Sequence, residues 1–313
     1  MNDLSVAGQY ANPTAFRLAL EPVLKLRARR PDLQKTLYCS RVFSNLPATP
    51  TLSVQQAIRE TRDQLYIRLV LGWLAKAGPF WDGDRFSNPD DYFHFDLSDV
   101  TDQGLGEAAR RILGGLEAGS FSFSDGSGKF ERTPLNVVHG LPESPLGSAD
   151  VPNLWTIEHL ERSADSMPST WRQMLETLAA KYDQLVLSPD ILSHLEGYPF
   201  HTGIVHRIFA LLRVLHLLAV ETKDDQSFTS AGLELWQQHS VGDKAWFTDE
   251  SERNKQIFKN EMTFWDPQAN ATCLCPWHGK IKPNQFRIHF EWPRPKGQKQ
   301  IKVFYIGPKI TKS

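Results

Sequence analysis

The chain has 313 residues, 41% hydrophobic and 23% charged, with a formal net charge of −1 at pH 7. That length supports two or three cores, the composition excludes a disordered chain, and three cysteines exclude a disulfide scaffold. The start shows no basic segment followed by an apolar one, and no apolar run reaches the roughly 18 residues of a bilayer span. A cytoplasmic protein without membrane contact is therefore expected.

Taken in chain order, the first basic stretch, Leu20 to Gln34, carries Lys25, Arg27, Arg29 and Arg30 among leucines and reads first as a solvated helix face. Ser53 with Gln56 three residues on is a capping box. Ile58, Leu65, Leu69 and Trp73 then predict one helix that Gly78-Pro79 stops. Asp82, Asp84, Asp90, Asp91, Asp96, Asp99 and Asp102 follow no ion-loop spacing and are read as turn and cap residues rather than metal ligands. Asp102 is placed to cap a helix through Leu105, Ala108, Ala109, Ile112, Leu113 and Leu116. Ser120 to Phe123 is a short strand candidate, and Gly140 to Pro152 reads as a linker or long surface loop.

Trp171, Met174, Leu175, Leu178 and Tyr182 form an amphipathic stripe, read as core. Ser188-Pro189-Asp190 opens a further helix. Gly203 to Val220 is the most apolar helix, with His206, Arg213 and His216 on one side. Its polar stripe is weighed as a solvent edge ahead of a site. Helices are also predicted for Ser230 to His239 and Asp249 to Met262.

The last forty residues change character. Strands are predicted for Cys273 to Lys282, Phe286 to Trp292 and Gln300 to Ile306. In the second, Phe286, Ile288, Phe290 and Trp292 alternate with Arg287, His289 and Glu291. From Gly279 to Ser313 there are nine Lys and Arg against one acid, a net of +8 that leaves the rest of the chain at −9. Such asymmetry points to an anionic partner. Cys273, Cys275 and His278 offer metal-ligand types but lack the four-ligand set of a structural zinc site, so no metal and no cofactor are expected. No phosphate-cradling loop, dinucleotide fingerprint or nucleophile elbow is present.

His278, Lys280, Arg287 and His289 are the strongest constellation. Metal-free RNA cleavage needs a base, an acid and a cation at the phosphate, and a hairpin can bring such groups together. The order helix, strand with Lys-x-Lys (Lys280, Lys282), strand with Arg287, hairpin, and strand ending Gly307-x-Lys309 resembles the RelE/ParE toxin superfamily over residues 249–313. In that family's messenger-RNA-cleaving members, basic residues on the sheet neutralise the scissile phosphate without a metal. The resemblance implies phosphate contacts for Lys280, Lys282, Arg287 and Lys309; with the constellation and the basic count, the catalytic candidates are Arg287, His289, His278 and Tyr305, and the nucleic-acid-binding candidates Lys280, Lys282, Lys302 and Lys309. The closing segment that supplies an aromatic acid/base in the ribonucleases has no counterpart before Ser313, so Tyr305 or His289 would take that role.

The expected architecture is α+β: a mainly helical N-terminal domain (1–150), a helical middle domain (151–248), and a small basic antiparallel-sheet domain of RelE-like type (249–313). The expected function is a nucleic-acid-binding toxin-like effector of a bacterial toxin or antiphage defence system, with RNA ahead of DNA and metal-independent endoribonuclease activity as its enzymatic form. It would work with a protein partner from a neighbouring gene. The alternative is a non-catalytic interaction subunit of a defence complex.

Overall fold

The computed structural model describes residues 1–84, 91–165, 168–243, 245–281 and 285–311. The chain divides into two compact units, residues 1–113 with 117–167, and residues 114–116 with 168–313. Residues on both sides of the expected boundary at 248/249 share the second unit.

The first unit holds α1 (Pro13–Arg29), α2 (Leu33–Thr36), α3 (Val54–Glu60), α4 (Gln64–Gly72), β1 (Phe93–Phe95), β2 (Ser98–Asp99), α5 (Gly104–Leu113), β3 (Ser120–Phe121), β4 (Leu135–Leu141), β5 (Ser144–Val151), β6 (Asn153–Leu154) and α6 (Ile157–Asp165). Ser53 and Gln56 form the expected capping box. The helix they start ends at Glu60, however, and Asp63 caps a second one by accepting from the Tyr66 N–H. This break changes the phase of the apolar face. Tyr66, Val70 and Leu74 are buried with Ile58, whereas Leu65 and Leu69 stand 57% and 51% exposed. The basic face of α1 is partly solvated: Lys25, largely exposed, pairs with Glu21, Arg29 is exposed, and Arg27 donates to the Gly78 carbonyl and lies over the Trp73 ring.

The aspartates are dispersed. Asp82 accepts the Arg41 N–H, Asp91 pairs with buried Arg110 and with His139, and Asp99 accepts the Thr101 N–H. Asp90 lies outside the described residues. Among the described residues no three His, Cys, Asp or Glu converge to hold a metal ion.

The second unit holds α7 (Trp171–Lys181), β7 (Leu185–Leu187), α8 (Ile191–Leu195), α9 (Thr202–Val220), α10 (Ser230–Ser240), β8 (Phe247–Thr248), α11 (Glu252–Ile257), β9 (Thr263–Asp266), β10 (Ala271–Leu274), β11 (His278–Ile281), β12 (Phe286–Phe290) and β13 (Ile301–Pro308). Its five-stranded sheet has the order β7-β13-β12-β11-β8, antiparallel except for the parallel pair β13–β7. A separate hairpin, β9–β10, turns through Asn270 at φ +50°.

The expected fold class is corrected on two counts. The chain is mixed, 41% helix and 20% strand. The first unit, expected to be mainly helical, contains a four-stranded antiparallel sheet of order β2-β1-β4-β5. The segment read as linker or loop is largely β5. It lies at the sheet edge, where only Ala149 and Val151 turn inward and the rest of the strand is exposed, so it lacks the alternation that betrays a half-buried strand. The middle region likewise supplies β7. The expected strand Cys273 to Lys282 is two strands, β10 and β11, because Pro276 interrupts the ladder and the chain changes layer.

Helix α9 is long and apolar enough to cross a bilayer by length and composition. Nine of its side chains are nevertheless buried in the unit, and Leu211 packs close to Gly279 and Phe247 on one face of the sheet. It is the core helix of this unit. His206, Arg213 and His216 lie along its less buried side, where Arg213 donates to the Gly115 carbonyl.

Candidate functional site

Side chains alternate along β11, β12 and β13, so the face opposite α9 carries the ionisable residues. The register sets two neighbouring rows. His278 is directly opposite His289, and His289 opposite Tyr305. One step along, Lys280 is opposite Arg287, and Arg287 opposite Gly307. The sheet therefore brings together His278, Lys280, Arg287, His289 and Tyr305. Lys282 lies outside the described residues.

The histidine row is closed. His289 is only 1% exposed. Its Nδ1 lies 2.9 Å from the Cys275 carbonyl, a geometry in which Nδ1–H donates, and Phe264 of the β9–β10 hairpin faces its ring. His278 is also buried. Its Nε2 is 3.3 Å from the Thr248 hydroxyl, and its Nδ1 is 3.6 Å from Glu250. Burial pushes both imidazoles down to about 4, because the charged form loses its water shell; Glu250 opposes this at His278, as the Cys275 hydrogen bond does at His289. Both rings are neutral near pH 7. Glu250 shows the reverse balance. Burial raises its carboxyl, but hydrogen bonds from Asn254 and Thr311 and the two nearby imidazoles bring it below the ordinary carboxylate value.

Tyr305 is buried, with its hydroxyl pushed up to about 12 by burial and donating to the Pro308 carbonyl at 2.7 Å. Its ring occupies the space above Gly307: a Cβ there would lie 2.6 Å from the Tyr305 oxygen, so only glycine fits opposite Arg287.

The cationic row is open. Lys280 and Arg287 are both partly exposed, and neither forms an ion pair among the described residues. Among the described residues Arg287 donates only to its neighbour's carbonyl, Phe286 O, at 2.8 Å, and its buried Nε meets no partner. Burial lowers the pKa of both, Arg287 further lowers that of Lys280, and the nearby Glu250 carboxylate opposes the shift at each. Like charges directly opposed on paired strands repel, so this row gains from an anion. Lys309 continues the strand, its N–H donating to Gln285 O at 2.8 Å, and is partly exposed.

Lys302 is placed elsewhere in function. Its ammonium is 2.6 Å from Asp266 in a nearly buried ion pair that ties the hairpin to β13. Arg294, in the loop before β13, is buried and donates to the carbonyls of Ala219, Thr222 and Lys223 around the C-terminus of α9 and to that of Lys299 in its own loop. The basic tail thus divides into internal and open cations. Sequence reasoning did not find Glu250 or Thr248. Glu250 was hidden because residues 249–262 read as one charged helix, whereas α11 spans only Glu252–Ile257, and Thr248 because its strand β8 is only two residues long.

Among the described residues the open row offers two adjacent cations, while both imidazoles and the Tyr305 hydroxyl are held away from it. It can bind and orient a phosphate. Comparison with known proteins finds no matching protein-family model, no matching curated protein and no matching solved structure.

Proposed function

We propose that the second unit binds the phosphate backbone of RNA through the open row of its sheet, as the nucleic-acid-binding element of a toxin-like effector. The observation that carries this reading is the direct opposition of Lys280 and Arg287, both partly exposed and without an ion-pair partner among the described residues. The partly exposed Lys309, held beside β12 through its backbone bond to Gln285, adds to the same field. The burial of both histidines and the engagement of the Tyr305 hydroxyl support binding rather than cleavage, since a general acid or base must reach the atom it serves.

The test is fluorescence anisotropy of a labelled single-stranded RNA across a salt series. Wild type should show a steep loss of affinity with salt, because bound phosphates release counterions. Replacing both Lys280 and Arg287 by Gln should weaken binding roughly tenfold or more and lower the salt slope by about 1.4, at about 0.7 per phosphate contact on a single strand. No binding by wild type at low salt, or an unchanged slope in the double variant, removes the reading.

A protein-contact role for the first unit, as the subunit reading has it, is favoured by α4. Leu65 and Leu69 sit one turn apart and more than half exposed, an apolar pair that a partner's surface would cover.

A further inference from the structure

Cys273 closes to its neighbour through strand geometry. In the β9–β10 ladder Cys273 is opposite Phe264, and the Cys275 N–H donates to the Met262 carbonyl at 2.8 Å, which extends the ladder by one rung. Side chains two apart on a strand share a face, and here the sulfurs are 3.5 Å apart. Cys273 is partly exposed and Cys275 fully buried. A reagent therefore meets Cys273 first, with the second thiol already in contact behind it. Cys39, the third cysteine, is buried in the first unit.

We propose that Cys273 and Cys275 are a reversible dithiol–disulfide pair, closed by low-molecular-weight disulfides. The Cys273 thiolate attacks one sulfur of R–S–S–R, forming a mixed disulfide and releasing one thiolate, which takes up the proton that Cys273 lost. The Cys275 sulfur then attacks Cys273 Sγ. The second thiolate leaves and takes the Cys275 proton. Two protein thiols are oxidised by two electrons in all, and one R–S–S–R is reduced to two R–SH.

The same geometry sets how readily the bond reopens. Two extended residues separate the Cα atoms by about 6.7 Å, at the far end of the roughly 4.4–6.8 Å that a disulfide spans. Such a bond is strained, and strained or exposed disulfides are the easily reduced ones. Closure also acts on the histidine row, because the Cys275 carbonyl accepts the His289 Nδ1–H.

The full chain is incubated with oxidised glutathione, quenched by alkylation in denaturant, and read by intact mass and peptide mapping. The expected product has lost two hydrogens, carries a bond between Cys273 and Cys275, has Cys39 alkylated, and returns to the dithiol in millimolar reduced glutathione. Cys275→Ser should stop at the glutathione adduct of Cys273, and Cys273→Ser should stay unmodified. The wild-type measurement decides by itself, whatever the stability of the variants. A persistent adduct on wild type, no reaction, a bond to Cys39, or a Cys273–Cys275 bond that resists reduced glutathione overturns the proposal.

Discussion

Two sets of cations in one basic segment are put to opposite uses. Arg294 and Lys302 point into the second unit, the first onto carbonyls at the end of α9 and the second onto Asp266. Lys280 and Arg287 lie on the open face of the same sheet and face one another, with Glu250 near enough to attract both but paired with neither. A charge count in sequence sees four equivalent positive residues. The structure shows that two are internal struts and two form a surface that lacks only an anion. Net charge is thus an upper bound on what a basic segment can offer a partner.

The internal side of the comparison predicts the largest effect. Arg294→Ala removes a guanidinium that serves four carbonyls and leaves those of Ala219 and Thr222 buried without it at the C-terminus of α9, where a cation also meets the helix dipole. The expected loss is about 3–4 kcal/mol of unfolding free energy, from several charge-assisted hydrogen bonds and unsatisfied acceptors. Arg294→Lys should recover only part of it, since an ammonium cannot reproduce the planar fork. Urea unfolding with an unchanged slope checks this. A loss below about 1 kcal/mol would place Arg294 with the surface cations and break the comparison.

The histidine row lies between the two regimes, and pH sharpens the contrast. His278 and His289 are held near 4 in the folded chain, against about 6.5 when unfolded. His239, facing the Gly114 carbonyl, is likewise pushed to about 4 by burial. Between these values the unfolded chain binds protons that the folded chain refuses. Stability is therefore fully present above about pH 6.5 and falls as pH drops towards 4. Each histidine contributes at most about 1.4 kcal/mol per pH unit in that window. Urea midpoints at pH 7 and pH 5 measure the fall. His289→Gln, which cannot titrate, should show a shallower one. Equal midpoints at the two pH values in wild type would mean that the row is open to water after all.

How much of this was legible can be judged at particular residues. The alternation in β12 gave the correct face for Arg287 and His289, since a sheet with one packed face imposes period two. The burial of His289 was not legible, because its cover is a separate hairpin joined through Cys275 and Pro276, and one strand's pattern does not reveal a second layer. Strand β5 was hidden by its edge position. Leu65 and Leu69 continue the helical spacing of Ile58 and so read as one helix with it. Arg62 at φ +56° and the Asp63 cap reset the helix, and the apolar face moved by one residue to Tyr66 and Val70. The ion pair of Lys302 depends on a partner 36 residues away, a separation at which sequence carries no pairing rule.

The smallest effect on stability separates the open cations most cleanly from the internal ones. Removing Lys280 or Arg287 costs no ion pair among the described residues; it relieves the repulsion between them and gives up an attraction to Glu250 that partly offsets the relief. Lys280→Gln and Arg287→Gln should each leave unfolding free energy within about 0.5 kcal/mol of wild type, with the bias towards a gain of a few tenths, the scale of a like-charge cross-strand pair. The gain should shrink at high salt, where exposed charges are screened. The double variant should gain less than the sum of the two, because either change alone already ends the repulsion. If either single variant loses more than about 1 kcal/mol, its side chain supports the fold as Arg294 does, and a drop in RNA affinity on mutating it would reflect unfolding. If both stay level while affinity falls, the open row is a binding surface whose cations repel one another in the free protein and are relieved by the phosphate they hold.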